Sequence, residues 1–350
     1  MGLPNIVVEF IEKANTAIAR SERGIVCLVV NDATKNTTVT TYRSITDIIT
    51  EDWTAENLQV IKDAFHDGPT KVHIVRLGAD AELSTVSATL DALKINWLAL
   101  INENQSQVVE YIKARNAKKG AVKTKAVVHG AAADDIHIVN FNNSAVTRKG
   151  ADATTAGHLY LGRIAGLLAA LPLNKTATYY TFDDLDSVAE VKDADAAIDN
   201  GEFILINDYG TVRVARAVNS ATTEKNGALK KITIIEGMDL IQEDIMTTFK
   251  EQYVGQYKNT PDNQALFIAS VNTYFRTMAG EEVLNPAYNN LAEINVEKHR
   301  AALVKAGKTE ALDWDDQAVK NNPYSSYIFV KGNVQFSDGI EDLDFEIYLN

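Results

Sequence analysis

Between residues 24 and 141 the sequence repeatedly exchanges a short apolar run for a stretch with apolar residues at helical spacing. A sheet covered by helices is the fold class that uses this alternation. Gly-Ile-Val-Cys-Leu-Val-Val (24–30) reads as a buried strand, and 38–42 as a short edge strand. Leu58, Ile61 and Phe65 mark a helix over 54–65 with Thr54 as N-cap, which Gly68-Pro69 ends. Strand-like 71–77, a helix through Leu83, Val86, Leu90 and Leu93, strand-like 97–101, a helix over 105–118 and strands at 126–129 and 136–141 follow. The most apolar helical stretch, 157–171, is too short for a membrane span, carries Arg163 in its middle and stops at Pro172. It reads as a buried helix whose Gly162 and Gly166 share one face.

Beyond residue 200 the pattern changes. A hairpin is expected over 203–217 around Asn207-Asp208-Tyr209-Gly210. Ile235, Met238, Ile241, Ile245, Phe249 and Tyr253 form one stripe through a long helix, and Thr260-Pro261 opens another carrying Leu266, Val271, Tyr274, Phe275 and Met278. No repeat or low-complexity linker divides the chain, so its parts are expected to be nested.

Both chain ends are written as strands. Ile6, Val8 and Phe10 share one face of 5–11; Leu343, Phe345, Ile347 and Leu349 share one face of 341–349, with Asp342, Asp344, Glu346 and Tyr348 opposite. Such ends ordinarily complete their own sheet. Polar stretches at 12–23 and 305–326 stand inside them, however, and would let a terminal strand reach a neighbour's open sheet edge.

No chemical signature accompanies the α/β pattern. Gly-x-Gly-x-x-Gly, a phosphate loop, Gly-x-Ser-x-Gly and His-Glu-x-x-His are all missing, so no catalytic residue and no cofactor is assigned. Cys27 is the sole cysteine and lies in an apolar run, which rules out an intrachain disulfide and reads as a core thiol. His73 and His137 lie singly on strands and read as structural. Asp183, Asp184 and Asp186 lack the spacing of a calcium loop. The chain has 47 acids against 34 Lys and Arg, a formal net charge of −13, which argues against a nucleic-acid binder. No signal peptide precedes the first strand, so synthesis in the cytoplasm is expected.

The C-terminal passage Tyr-Ile-Phe-Val-Lys-Gly-Asn-Val-Gln-Phe (327–336), followed by Asp-Gly-Ile-Glu-Asp-Leu-Asp-Phe-Glu-Ile (338–347), resembles the closing region of contractile tail sheath proteins. Their pattern ends in an Ala-Met-Glu-Asp-like turn and a final strand; here Gly339-Ile340 replaces Ala-Met. The order of elements over 24–77, 158–217 and 230–284 is similar to theirs. With little room for added outer domains, the chain looks like a minimal sheath of the R-type bacteriocin and phage-like particle kind.

The resemblance implies an α/β fold: a mixed sheet covered by helices, with N- and C-terminal β-strand arms exchanged between subunits. The arms would span 1–23 and 327–350. The core would span 24–326, with nested parts at about 95–220 (central) and 228–306 (mainly helical). It further implies a six-fold helical homopolymer around a tail-tube protein, with baseplate and terminator partners and no membrane insertion. Such a sleeve contracts to drive the tube through a bacterial envelope and belongs to a phage tail or phage-tail-like particle released on lysis. Ile6, Val8, Phe10, Leu343, Phe345, Ile347 and Leu349 are then the arm contacts. The competing reading is a cytosolic α/β enzyme or ligand-binding protein with an unrecognised site.

Divided along the chain, charge suggests a second contact. Residues 111–131 hold six bases and no acid, whereas 181–208 hold nine acids and one base. Such runs are usually solvated faces. In a homopolymer they also meet copies of themselves, which makes Lys113, Lys118, Lys119 and Lys123 against Asp183, Asp184 and Asp186 a candidate charged interface.

Overall fold

The apolar run beginning at Gly24 becomes β1 (Ile25–Asn31), an interior strand of a mixed sheet that also holds β2 (Val39–Tyr42), β3 (Lys71–Leu77), β4 (Trp97–Ile101), β5 (Lys125–His129) and β6 (Ile138–Phe141). The structure is a computed structural model that describes residues 17–78 and 81–349. By their contacts these fall into two units: Ser21–Glu243 with the C-terminal residues from Ser337, and Asp244–Phe336 with the described residues up to Arg20.

In the first unit β1 pairs in parallel with β3 and β4, and β5 and β6 continue the parallel order. β2 closes one edge antiparallel to β3. Because successive side chains alternate faces, β1 supplies two cores. Val26, Leu28 and Val30 pack with α1 (Ala55–Ala64) on one face, while Cys27 and Val29 pack with α2 (Ser87–Ala92) and α3 (Ser106–Ala117) on the other. Burial pushes the Cys27 thiol up to about 12, as a core role requires.

The expected glycine-faced helix is α4 (Leu161–Ala170), entered through a 3₁₀ turn at Gly157–Tyr160. It lies on α1. A Cβ on Gly162 would come within 2.8 Å of the Val60 side chain, and one on Gly166 would overlap the Ala64 carbonyl. Arg163 does not interrupt this burial: it is fully buried, ion-paired with Asp67 and, at 3.3 Å, with Asp184. Tyr160 Oη donates to the same Asp184 at 2.6 Å.

Around α4 the chain makes β7 (Ala145–Arg148), β8 (Thr154–Ala156), β9 (Thr181–Phe182) and β10 (Leu185–Val188), then α5 (Ala194–Asp199) and β11 (Glu202–Phe203). β11 returns beside β6 as the seventh strand of the main sheet among the described residues. This late return is why no linker marks the central region. The expected hairpin is β12 (Leu205–Asp208) and β13 (Thr211–Val214), whose turn residues Tyr209 and Gly210 both have positive φ.

Asp32, just past β1, ties this sheet to α1. One oxygen accepts Thr54 N–H at 3.1 Å and Asn57 Nδ2 at 2.8 Å; the other accepts Thr34 N–H at 2.9 Å. Burial raises its pKa, but these bonds from Thr34, Asn57 and Thr54 outweigh it and hold the carboxyl at about 2. A depressed carboxyl stabilises the fold above the unfolded-state pKa of about 4, and that contribution fades as the pH falls toward 2. Asp32→Asn is therefore expected to flatten the acid limb of thermal stability between about pH 4 and 2; an unchanged limb would refute this role.

α6 (Ile232–Thr248) ends in a π-helical turn, Phe249–Tyr253, so the long apolar stripe is not one continuous α-helix as the spacing had implied. The wider turn stacks the Phe249 and Tyr253 rings with centroids 6.0 Å apart. In the second unit α7 (Pro261–Gly280) starts at its Thr260 cap and buries Phe267, Val271, Tyr274, Phe275 and Met278. β14 (Leu291–Ile294), α8 (Val296–Lys305), α9 (Asp316–Lys320) and β15 (Val330–Asn333) complete it, with β14 and β15 paired antiparallel.

The terminal strands are where expectation and structure part. Residues 341–349 form no strand among the described residues. A strand needs a ladder partner, and nothing in the described chain lies beside them to supply one. Ile6, Val8 and Phe10 lie outside the described residues.

Candidate functional site

The C-terminal segment has an anchored root and an exposed end. Four side chains from three connecting segments of the first unit converge on the root: Thr176 and Thr178 before β9, Arg216 after β13, and Lys231 before α6. Glu341 lies among them with its side chain only 5% exposed. It accepts from Thr178 Oγ1 at 2.7 Å and Thr176 Oγ1 at 3.2 Å, and pairs with Arg216 at 3.4 Å and Lys231 at 3.6 Å. Asp342 pairs with Arg216 and Asp338 with Lys231, each at 2.6 Å. A carboxylate removed from water among hydroxyls and cations is strongly held.

Beyond this clamp the chain is bare. Leu343 is 87% exposed, Phe345 72%, Ile347 70% and Leu349 95%. A contiguous apolar row in water is a surface shaped for a partner. Asp344 and Glu346 alternate with it and are also exposed, so docking the apolar face leaves the acids free to face solvent.

Among the described residues the second unit carries a two-stranded sheet with an open edge. In the β14–β15 pair, Ala292 lies opposite Gly332 and Ile294 opposite Val330. The Asn272 side chain accepts from Ala292 N–H at 2.7 Å and donates to Ala292 C=O at 3.0 Å, so Ala292 turns its main-chain groups away from β15 and α7 covers them. By antiparallel alternation, Gly332 and Val330 turn theirs away from β14 as well. Their side of β15 therefore offers donors and acceptors at its outer edge, while Asn272 occupies the edge of β14.

The candidate charged interface is largely occupied within the chain. Lys113 donates to Ala133 C=O, Lys118 pairs with Asp91 at 2.8 Å and Lys123 donates to Asn116 C=O at 2.6 Å. Asp184 serves Arg163 and Tyr160, and Asp186 accepts Gly150 N–H at 2.8 Å. Lys119 is exposed, and so is Asp183, which faces His66 at 3.3 Å. His66, Asp183 and Asp184 bring ligand-type atoms within 4.8 Å of one another, but both Asp184 oxygens are already engaged. His73 meets Thr41 Oγ1 at 2.8 Å and His137 meets Asp239 at 3.1 Å, both as structural partners.

Sequence reasoning found the apolar row but missed its anchor. Thr176, Thr178, Arg216 and Lys231 share no spacing, and only folding gathers them. The adjacent acids Glu341 and Asp342, just before the apolar alternation, were the available signal. Among the described residues no helix is long and apolar enough to cross a membrane.

Residues 224–350 match the family model described as the phage tail sheath C-terminal domain. The chain is similar to the tail sheath protein of Clostridium phage phiCD119, 30% identical over an alignment of 366 residues that covers 99% of each protein. Its fold is similar to that of the anti-feeding prophage helical sheath in the contracted state, with a TM-score of 0.70, 12% identity and 100% of both chains covered. A chain of the anti-feeding prophage baseplate is similar too, with a TM-score of 0.68, 9% identity and 100% and 99% covered.

Proposed function

The chain belongs to the tail sheath protein family, a structural family and not an enzyme family, and from that premise we propose that it polymerises into a contractile sleeve by laying residues 343–349 along the outer edge of β15 in another copy. The observation that carries this reading is the row Leu343, Phe345, Ile347 and Leu349, exposed immediately beyond the buried Glu341 clamp. A strand docked there makes main-chain bonds worth about 1 kcal/mol net each, and its buried apolar side chains add about 1.5–3 kcal/mol apiece when fully covered. Each joint is thus held by several kcal/mol. The clamp lets the arm stay with its own subunit while its end travels with the neighbour.

Ile6, Val8 and Phe10 serve the same exchange at the other end of the chain; of the expected division into arms 1–23 and 327–350 around a core 24–326, the C-terminal part that moves is 343–349, because β15 lies in the second unit and Glu341 stays in its clamp. The sleeve is six-fold, surrounds a tail tube and stands on a baseplate. The similarity in fold to a helical sheath in the contracted state and to a baseplate chain supports that placement. An α/β enzyme reading has no observation in its favour.

Electron microscopy of the purified protein tests the reading: long tubes or stacked rings are expected, and a small oligomer that never elongates would contradict it. Among the charges, exposed Lys119 and Asp183 are the pair left to act between copies. The double reversal Lys118→Glu and Lys119→Glu is expected to slow assembly several-fold at low salt while leaving the melting temperature within a few degrees, since exposed charges contribute about 1 kcal/mol or less. Tubes forming at the wild-type rate would remove the charged interface from the account.

A further inference from the structure

The described chain begins at Ala17, in the second unit. Ile18 is buried there, and Ala19 N–H donates to Thr248 Oγ1 at 3.1 Å. Thr248 immediately precedes the π-helical turn Phe249–Tyr253. That turn walls a groove of about 470 Å³, closed by Val254, Tyr257 and Ile328. The sixteen residues before Ala17 therefore join the chain two residues from Ala19, whose amide is held by the residue next to Phe249 of the groove wall.

One wall of the groove is aromatic and suits a flat apolar side chain, while Lys258, Asn259, Asn263, Ser325 and Ser326 line the remainder. Phe249 and Tyr253 are stacked, and Phe267 meets both edge-on at 5.1 and 5.0 Å, so the wall is rigid. Tyr253 is fixed further by a 2.9 Å bond between its hydroxyl and Ser270 Oγ. Val254, at the mouth, is 58% exposed. The segment before Ala17 carries Phe10, seven residues upstream, and the chain between them can span up to about 23 Å. An aromatic side chain entering edge-on adds about 0.5–1.5 kcal/mol beyond its area burial.

We propose that in the unassembled subunit Phe10 occupies this groove of its own chain, so that the N-terminal arm is stored in cis until a neighbouring copy takes it. The idea rests on the arm-exchange reading above and adds a control to it. Storage covers the apolar face of the arm while subunits are dilute, and it sets a threshold for polymerisation because a neighbour must outbid the groove. The occupant is the chain's own segment and not a foreign partner because the tether at Ile18 and Ala19 keeps its local concentration in the millimolar range.

The full-length chain with Phe10→Cys and Val254→Cys tests this; Cys27 is buried and does not compete. Under mild oxidation at high dilution, an intrachain disulfide is expected to form at least tenfold faster than in a control pairing Phe10→Cys with Leu312→Cys, which lies outside the groove. Crosslinks that appear only between chains and grow with concentration would overturn storage in cis, and so would equal rates in the two pairs. Hydrogen exchange on the unmodified chain guards against a folding defect. Amides of 249–257 should lose protection when residues 2–11 are deleted, and unchanged protection would likewise overturn the proposal. Tube formation by the same deletion reads arm exchange separately, so the two ideas fail independently.

Discussion

A chain ending at Asp342 should fold, remain monomeric and form no tubes. The truncation keeps Glu341 in its clamp of Thr176, Thr178, Arg216 and Lys231 and removes only residues whose apolar side chains are already exposed. No core contact is lost, so the melting temperature should stay within about 1 °C of wild type, below the shift of about 2–4 °C that 1 kcal/mol of core damage would produce in a unit of this size. Assembly, by contrast, loses the whole C-terminal joint. Light scattering with calorimetry on the same sample separates the two quantities. A large drop in melting temperature would mean that the last residues complete their own unit, and normal tubes would mean that they do not join copies.

Gly332→Pro should have a comparable effect from the acceptor side. Proline is tolerated on an edge strand when its missing N–H is the one that faces outward, and Gly332 lies opposite Ala292, whose own groups point away to Asn272. There is room for the added carbon: a Cβ at Gly332 would meet the Phe275 ring no closer than 3.8 Å and Leu291 C=O at 3.9 Å. The β14–β15 pair is thereby preserved while the edge loses a donor and gains a ring. Losing the donor and leaving its acceptor unpaired costs about 1–3 kcal/mol, which weakens each joint by about five- to a hundredfold. Gly332→Ala, which keeps the N–H, should assemble normally. If both variants assemble alike, an edge other than that of β15 accepts the arm.

Periodicity made most of the first unit legible because burial dictates it. The two faces of β1, the glycines of α4 against α1 and the hairpin at Tyr209-Gly210 all leave local marks in composition or spacing. What periodicity conceals is long-range closure. The return of β11 to β6, after the small sheet of β7, β8 and β10 and the strand β9 have intervened, depends on pairing between residues distant in sequence. The π-turn after α6 was hidden for a different reason: Phe249 and Tyr253 continue the apolar stripe whether the turn is α or π. The burial of Arg163 was equally invisible, since its partners Asp67 and Asp184 lie far from it in sequence.

For the site, alternation of apolar and acidic residues was enough to single out 343–349. It was not enough to decide between a strand and an unpaired arm, because the same pattern satisfies both until a neighbouring edge is specified. The anchor fixes the root of this segment at Glu341 and leaves 343–349 exposed beyond it. Counting charges along the basic run could not reveal that Lys113, Lys118 and Lys123 have partners within the chain.

The most direct test is a cryo-electron-microscopy map of the assembled particle, sharp enough to trace the main chain from Glu341 to Leu349. The account predicts that Glu341 stays between Arg216 and Lys231 of its own subunit while 343–349 runs as an added strand beside Val330 and Gly332 of another. Density that folds 343–349 back onto its own subunit, with the β15 edge open, would contradict it.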